Sequence, residues 1–225
     1  MNISTESINI DIIGTRLSIR FSHVIFPLDV REFSEGLLKI GYTPLAQFPP
    51  LPTMGKGIAT GRIAIKGNSV IDINCDRQFI GIQNQNIENL ITDFNELFIL
   101  LKDKRFFGES IHHRFIEFQG HFECWSKKNP LATLKKVSSA LEIMKTSEKI
   151  FDSPSALHHL RIVPAEKPID SDDFYELIIE PNITRPTRSY EIAMVFRNHE
   201  MNKTISTVEN VIPNITQIIH ELEAK

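Results

Sequence analysis

The sequence predicts an α+β fold in which one antiparallel sheet carries its helices on a single face. In several segments apolar residues alternate with polar ones, as in half-buried strands. Between these segments apolar residues recur every three or four positions, as in amphipathic helices. The order strand, helix, three strands, helix occurs twice, which predicts two tandem β-α-β-β-β-α repeats, residues 1–104 and 105–225, packed as one unit.

Periodicity and capping residues mark the elements of the first repeat. Alternation in its first strand slips between Ile12 and Leu17, which predicts a β-bulge near Gly14. Asn86 directly precedes a strong apolar stripe and is therefore the expected N-cap of the second helix. The predicted strands are residues 8–21, 58–66, 70–75 and 79–83, and the predicted helices are residues 29–41 and 86–101.

A proline-rich segment, residues 43–57, separates the first helix from the second strand. Its four prolines lack backbone donors and favour an extended surface loop. A proline-rich ligand for another protein is the alternative interpretation of this segment.

The second repeat follows the same order. Asn129 and Pro130 are the expected start of its first helix, because proline is tolerated at the first helical position. Pro213 predicts a kink or a restart in its last helix. The predicted strands are residues 111–125, 157–163, 174–180 and 190–197, and the predicted helices are residues 129–144 and 204–223.

Two local stretches carry a family resemblance. Residues 41–51 contain a tyrosine-x-proline followed by a phenylalanine-proline pair, and residues 208–213 read VENVIP within the last helix. Together with the doubled element order, these stretches resemble the TATA-box-binding protein family, a saddle with long helices on its convex side. The resemblance implies the fold. It implies DNA binding only through apolar wedges and a positive surface, and Phe48 is the one position that matches a wedge motif.

The sheet face opposite the helices is the expected binding surface. In the first repeat its predicted side chains lean positive, and Arg16, Arg20, Arg62 and Lys66 with Phe79 or Phe48 are the candidate contacts for nucleic acid or another partner. In the second repeat the predicted set leans negative, which disfavours a continuous duplex. We therefore expect a non-catalytic macromolecule-binding or adaptor protein that binds a protein partner or a second copy of itself through this face, the sheet edges or the proline-rich segment. Nucleic acid bound through the first repeat is the alternative.

Histidines supply the argument for an enzyme. His121, Glu123 and His159 are the candidate ligands of a zinc or iron ion if their strands are neighbours. No HExxH or HxH pattern supports this site, and no GxSxG or GxxxxGK motif is present. We therefore expect a non-catalytic protein without a cofactor. A metal-dependent enzyme is the second alternative.

Composition limits the partners and the compartment. The formal net charge of −3 argues against a generally basic nucleic-acid binder. Cys75 and Cys124 form no metal-binding pair and suit a reducing interior. The first eleven residues lack the pattern of a secretion signal, and no apolar run approaches the ~20 residues of a membrane span. We expect a cytoplasmic protein without membrane contact.

Overall fold

The first half of the chain forms a long strand, a helix, four further strands and a second helix. The computed structural model of the protein describes residues 8–22, 30–45, 60–74, 77–104, 106–108 and 111–224. Within them the elements of the first half are β1 (Asn9–Phe21), α1 (Val30–Lys39), β2 (Thr43–Pro44), β3 (Thr60–Lys66), β4 (Ser69–Asn74), β5 (Phe79–Asn84) and α2 (Ile87–Leu101).

The second half repeats much of this order, with three described strands after its first helical region instead of four and with two further changes. Its first helical region is divided into two short helices, and its last helix is divided at Asn210. The elements are β6 (His113–Trp125), α3 (Pro130–Ser139), α4 (Glu142–Phe151), β7 (Leu160–Ile162), β8 (Phe174–Pro181), β9 (Ser189–Asn198), α5 (Met201–Glu209) and α6 (Val211–Ala224).

All nine described strands belong to one antiparallel sheet, which confirms the α+β class. The strand order is β2-β3-β4-β5-β1-β6-β9-β8-β7. The first strands of the two halves, β1 and β6, pair with each other along nearly their whole length at the middle of the sheet. In each half the last strand then lies beside the first, with β5 next to β1 and β9 next to β6.

Three register shifts are present in the described strands, and two of them decide which side chains of the candidate site reach which face; the third lies at the end of β1, between Arg20 and Phe21. The register of β1 on β6 shifts between Ile12 and Gly14, which confirms the bulge predicted near Gly14. A second shift lies between Arg62 and Ala64, where β3 pairs with β4. Because the side-chain period of a strand is two, this extra residue moves every later side chain of β3 to the other face.

One apolar core joins both halves on the side of the sheet that carries the helices, here called the helical face. Alternate residues of the central strands, such as Leu17 of β1 and Phe118 of β6, are fully buried there. Phe94 of α2 and Ile219 of α6 close over them, and all four residues belong to one continuous cluster. The sheet's hydrophobic side is thus matched to the apolar stripes of the helices.

Capping side chains begin the two helices for which the sequence predicted them. Asn86 accepts a 2.9 Å hydrogen bond from the backbone N–H of Asn89 at the start of α2. Asn129 accepts a 3.2 Å bond from Ala132, and Pro130 occupies the first turn of α3. Within the described ranges, no helix has the length and apolar character needed to cross a membrane.

Candidate functional site

The sheet face opposite the helices, here called the open face, is the candidate binding surface. Its members follow from the pairing register, because residues directly opposite each other on neighbouring strands share a face. Arg16 pairs with Gln83 and Gln119, and Gln119 pairs with Val195. The open face also includes Arg62, Asp72, Phe79, Arg20, Phe115, Glu117, His121, Glu123, Glu191, Arg197, Phe174, Glu176 and Glu180.

A cleft of about 860 Å³ lies at the centre of the open face. The strands around it contribute mainly small or amide side chains, so their backbones are accessible. Amide side chains are thus concentrated here, whereas the backbone groups of these interior strands are paired within the sheet. The lining includes Gly14, Arg16, Val70, Gln83, Gln85, Gln119, Gly120, His121, Ala193 and Val195.

Arginines and phenylalanines alternate across five neighbouring strands at one end of the open face. The guanidinium of Arg20 lies 5.6 Å from the ring centre of Phe79 and 5.7 Å from that of Phe115. The guanidinium of Arg197 lies 5.4 Å from Phe115 and 5.6 Å from Phe174. These are cation–π distances. The three rings are at most 5% exposed, so they do not present free faces for stacking on a base.

Arg16 is held by several groups of the protein itself. It donates a 2.6 Å hydrogen bond to Oε1 of Gln119, its Nη1 lies 3.5 Å from Oδ2 of Asp72, and its guanidinium lies 4.7 Å from the ring centre of Phe79. Burial raises the pKa of Asp72 although Arg16 opposes this shift. The charge of Arg16 is therefore balanced within the sheet rather than left for a phosphate.

Four carboxylates form a row across the other end of the open face, here called the acidic row. Asp11 of β1 pairs with Glu123 of β6, Glu123 pairs with Glu191 of β9, and Glu191 pairs with Glu180 of β8. Side chains in such positions are about 5 Å apart, and like charges placed directly opposite each other are destabilising. The acidic row thus costs stability while it concentrates negative charge on this face of the sheet, although Glu123 itself is only 7% exposed.

Hydrogen bonds fix the acidic row in place. Asp11 accepts a 2.7 Å bond from the indole N–H of Trp125. Glu123 accepts a 2.7 Å bond from the hydroxyl of Ser189, and Nη1 of Arg185 lies 3.5 Å from it. Oε1 of Glu191 lies 2.8 Å from Nε2 of His121. The carboxylates are therefore oriented before any partner arrives.

Lys66 lies on the helical face, so the prediction that it shares the open face with the arginines is wrong. Its Nζ lies 2.9 Å from Asp93 and 2.6 Å from Glu96, both on α2. The cause is the bulge in β3. It places Ala64 in the core, 0% exposed, and leaves Ile65 41% exposed, whereas unbroken alternation from Arg62 would put Ile65 in the core and Lys66 on the open face. The first-half surface is accordingly less positive than the sequence predicted.

The other predicted contact residues have different surroundings. Arg62 is exposed and pairs with Asp72 on the open face. Arg20 donates a hydrogen bond to the backbone oxygen of Arg77, and its pKa is lowered mainly by burial. Phe79 lies beneath Arg16 and Arg20. Phe48 and most of the proline-rich segment lie outside the described residues.

The three predicted metal ligands do not meet at one point in the structure. His121 contacts Glu191, and Glu123 contacts Ser189 and Arg185. His159 instead groups with His158 and Glu180. The hypothesis required neighbouring strands, but β9 and β8 lie between β6 and β7. The described donors that converge do so at the β7–β8 end of the acidic row.

Asp11 and Trp125 are open-face residues that the sequence reasoning left out. The signal for Asp11 was present, because it stands between Ile10 and Ile12, which pack against the core. Its place beside Glu123 depends on the pairing of β1 with β6, and local sequence carries no information about that pairing. No protein-family model matches the chain, and no curated protein matches it significantly.

Proposed function

We propose that this protein is a non-catalytic binding or adaptor protein whose open face receives a basic segment of a protein partner. The acidic row carries this proposal. Four carboxylates face one another across neighbouring strands on a surface that no described helix covers. Repulsion within the row falls when cationic side chains bind, so association gains both the new ion pairs and the relief of that repulsion.

Spacing supports an extended segment as the bound form. The acidic row spans four strands, which is about 14 Å at ~4.8 Å between strands. Every second side chain of an extended peptide points the same way, ~6.7 Å apart, so an Arg-x-Arg-x-Arg or Lys-x-Lys-x-Lys segment spans about the same length.

Nucleic acid is the less favoured partner on electrostatic grounds. Of the four predicted basic contacts, Lys66 is paired with α2 and Arg16 is balanced by Asp72. Phosphates on this surface would also approach Glu123 and Glu191. A cationic polypeptide meets complementary charge at the same place.

We also propose that the fold is an internal duplication like that of the TATA-box-binding protein family, with repeats at residues 1–104 and 105–225. The central pairing of β1 with β6, and the last strand of each half beside its first, support this. Two features depart from it, because α3 and α4 replace a single helix and β7 has three residues. On the sequence evidence, we propose a cytoplasmic location.

Site-specific photo-crosslinking tests the proposed surface. Benzoylphenylalanine placed at Val195, in the open-face cleft, should form protein adducts in cells, whereas the same probe at exposed Ser206 of α5 should not. The adducts should persist after nuclease treatment. They should also weaken when Glu180 and Glu191 are both changed to Gln, because the basic segment then loses two of its counter-charges.

Binding of labelled oligonucleotides separates the two partner classes. We expect no measurable affinity for single-stranded or duplex probes at physiological salt. A salt-sensitive affinity that disappears in the variant Arg16→Gln, Arg20→Gln, Arg62→Gln would establish nucleic acid as the ligand and overturn the proposal. Adducts that are equal at Val195 and Ser206 would overturn it as well.

A further inference from the structure

Two histidines and a glutamate converge at the outer end of the acidic row. His158 and His159 immediately precede β7, and Glu180 lies near the end of β8. Leu160 pairs with Ile179, which brings His159 beside Glu180. One ligand atom from each of the three side chains lies within 4.8 Å of the others, and Nδ1 of His158 is 3.9 Å from Oε2 of Glu180.

This donor set selects a particular class of ion. Two imidazoles and one carboxylate suit Zn²⁺ and related transition metals, whereas Mg²⁺ and Ca²⁺ prefer oxygen ligands alone. Tetrahedral zinc with bonds of ~2.0–2.2 Å needs its ligand atoms ~3.3 Å apart, so the cluster has to contract by about 1.5 Å. The His158 side chain is 73% exposed, which leaves it room to rotate towards the other two ligands.

The neighbouring charges favour a dication independently of the donor atoms. Glu191 lies directly opposite Glu180, and Glu123 follows on the next strand. The described arginines near this part of the open face are already paired, Arg161 with Glu176 and Arg185 with Glu123. A bound dication would relieve the repulsion between Glu180 and Glu191, which gives the acidic row a second use.

We propose that His158, His159 and Glu180 form a surface site for one divalent transition-metal ion, and that this ion is zinc. Three protein ligands leave at least one coordination position open to water or to a side chain of a bound partner. The site goes beyond the proposed partner binding and does not depend on it. Zinc binding can fail while partner crosslinking succeeds, and the reverse is equally possible.

Calorimetric titration of the full, tag-free, metal-stripped chain with zinc chloride tests the site. We expect one equivalent of zinc to bind. Glu180→Gln and His159→Gln should each weaken zinc binding at least ~10-fold. Even the loss of a group that only hydrogen-bonds to a metal ligand lowers metal affinity by that much. His220→Gln, which removes an exposed imidazole of α6 outside the cluster, should bind as the unmodified chain does.

Cobalt substitution reads the coordination directly. Ligand-field absorption bands should appear when Co²⁺ is added to the unmodified chain and to His220→Gln, and should be lost in Glu180→Gln. Circular dichroism of each variant should match that of the unmodified chain, because the cluster lies at the surface. Binding well below one equivalent, or equal zinc affinity and equal cobalt bands in Glu180→Gln, would overturn the proposal.

Discussion

Removal of one charge from the acidic row should make the protein more stable. Glu191 is the most informative position, because it faces Glu123 on one side and Glu180 on the other. Glu191→Gln removes both facing repulsions and keeps a side-chain oxygen that can accept a hydrogen bond from His121. Most substitutions destabilise, so a gain here would be specific to the acidic row.

The size of the gain follows from opposing effects. Two charges about 5 Å apart repel by ~0.8 kcal/mol at the dielectric constant of water. Like-charge pairs across strands cost about 0.2 to 1 kcal/mol each. Against this, the partly exposed contact of Glu191 with His121 contributes at most ~1 kcal/mol. We expect a net increase of about 0.5 to 1 kcal/mol in the free energy of unfolding.

Urea unfolding at two salt concentrations measures this increase. At about 0.01 M salt the screening length is ~30 Å and the full gain should appear, whereas at about 1 M it is ~3 Å and the gain should fall by at least half. Glu166→Gln, which neutralises an exposed carboxylate outside the row, should change stability by less than ~0.5 kcal/mol. A destabilised Glu191→Gln, or a gain unaffected by salt, would refute the reasoning.

Two further predictions concern packing and pH. Gly120→Ala should lower the free energy of unfolding by about 1–3 kcal/mol, because its new Cβ would come within 2.6 Å of the Phe122 ring. Gly14→Ala is the control and should be close to neutral, since its new Cβ would meet nothing within 4 Å. Equal urea midpoints for the two variants would contradict this prediction. Stability should also fall as pH rises from about 9 towards 12. Burial raises the pKa of both Cys124 and Tyr190 to about 12, so the unfolded chain loses these protons first; a flat profile of unfolding free energy against pH would contradict this.

Local sequence was enough to locate most elements of the fold. The slip of alternation in β1 predicted its bulge, because a change of phase has no other explanation within one strand. The caps at Asn86 and Asn129 were found because their side chains satisfy free N–H groups at helix starts. The break between α3 and α4 has no such signal in the sequence, because the residues at the break are Ala140 and Leu141 rather than glycine or proline.

The candidate site was less predictable, and β3 shows why. Ile63, Ala64 and Ile65 are all apolar, so their sequence is compatible with either face, and the pairing of β3 with β4 decides between them. That choice moved Lys66 from the expected open face to the helical face. The acidic row likewise arises from pairings between distant strands, which periodicity within a single strand does not encode.

Thiol labelling tests the uncovered sheet face most directly. Ala193→Cys places a small thiol in the open-face cleft, and Ala64→Cys places the same group in the core of the helical face, where Ala64 is 0% exposed. In a chain with Cys75→Ser, and with native Cys124 buried, we expect Ala193→Cys to react at a rate close to that of a free peptide thiol. Ala64→Cys should react on the order of 100-fold more slowly, since labelling there requires local unfolding. Slow labelling of Ala193→Cys, comparable to that of Ala64→Cys, would contradict an open face that is available to a partner.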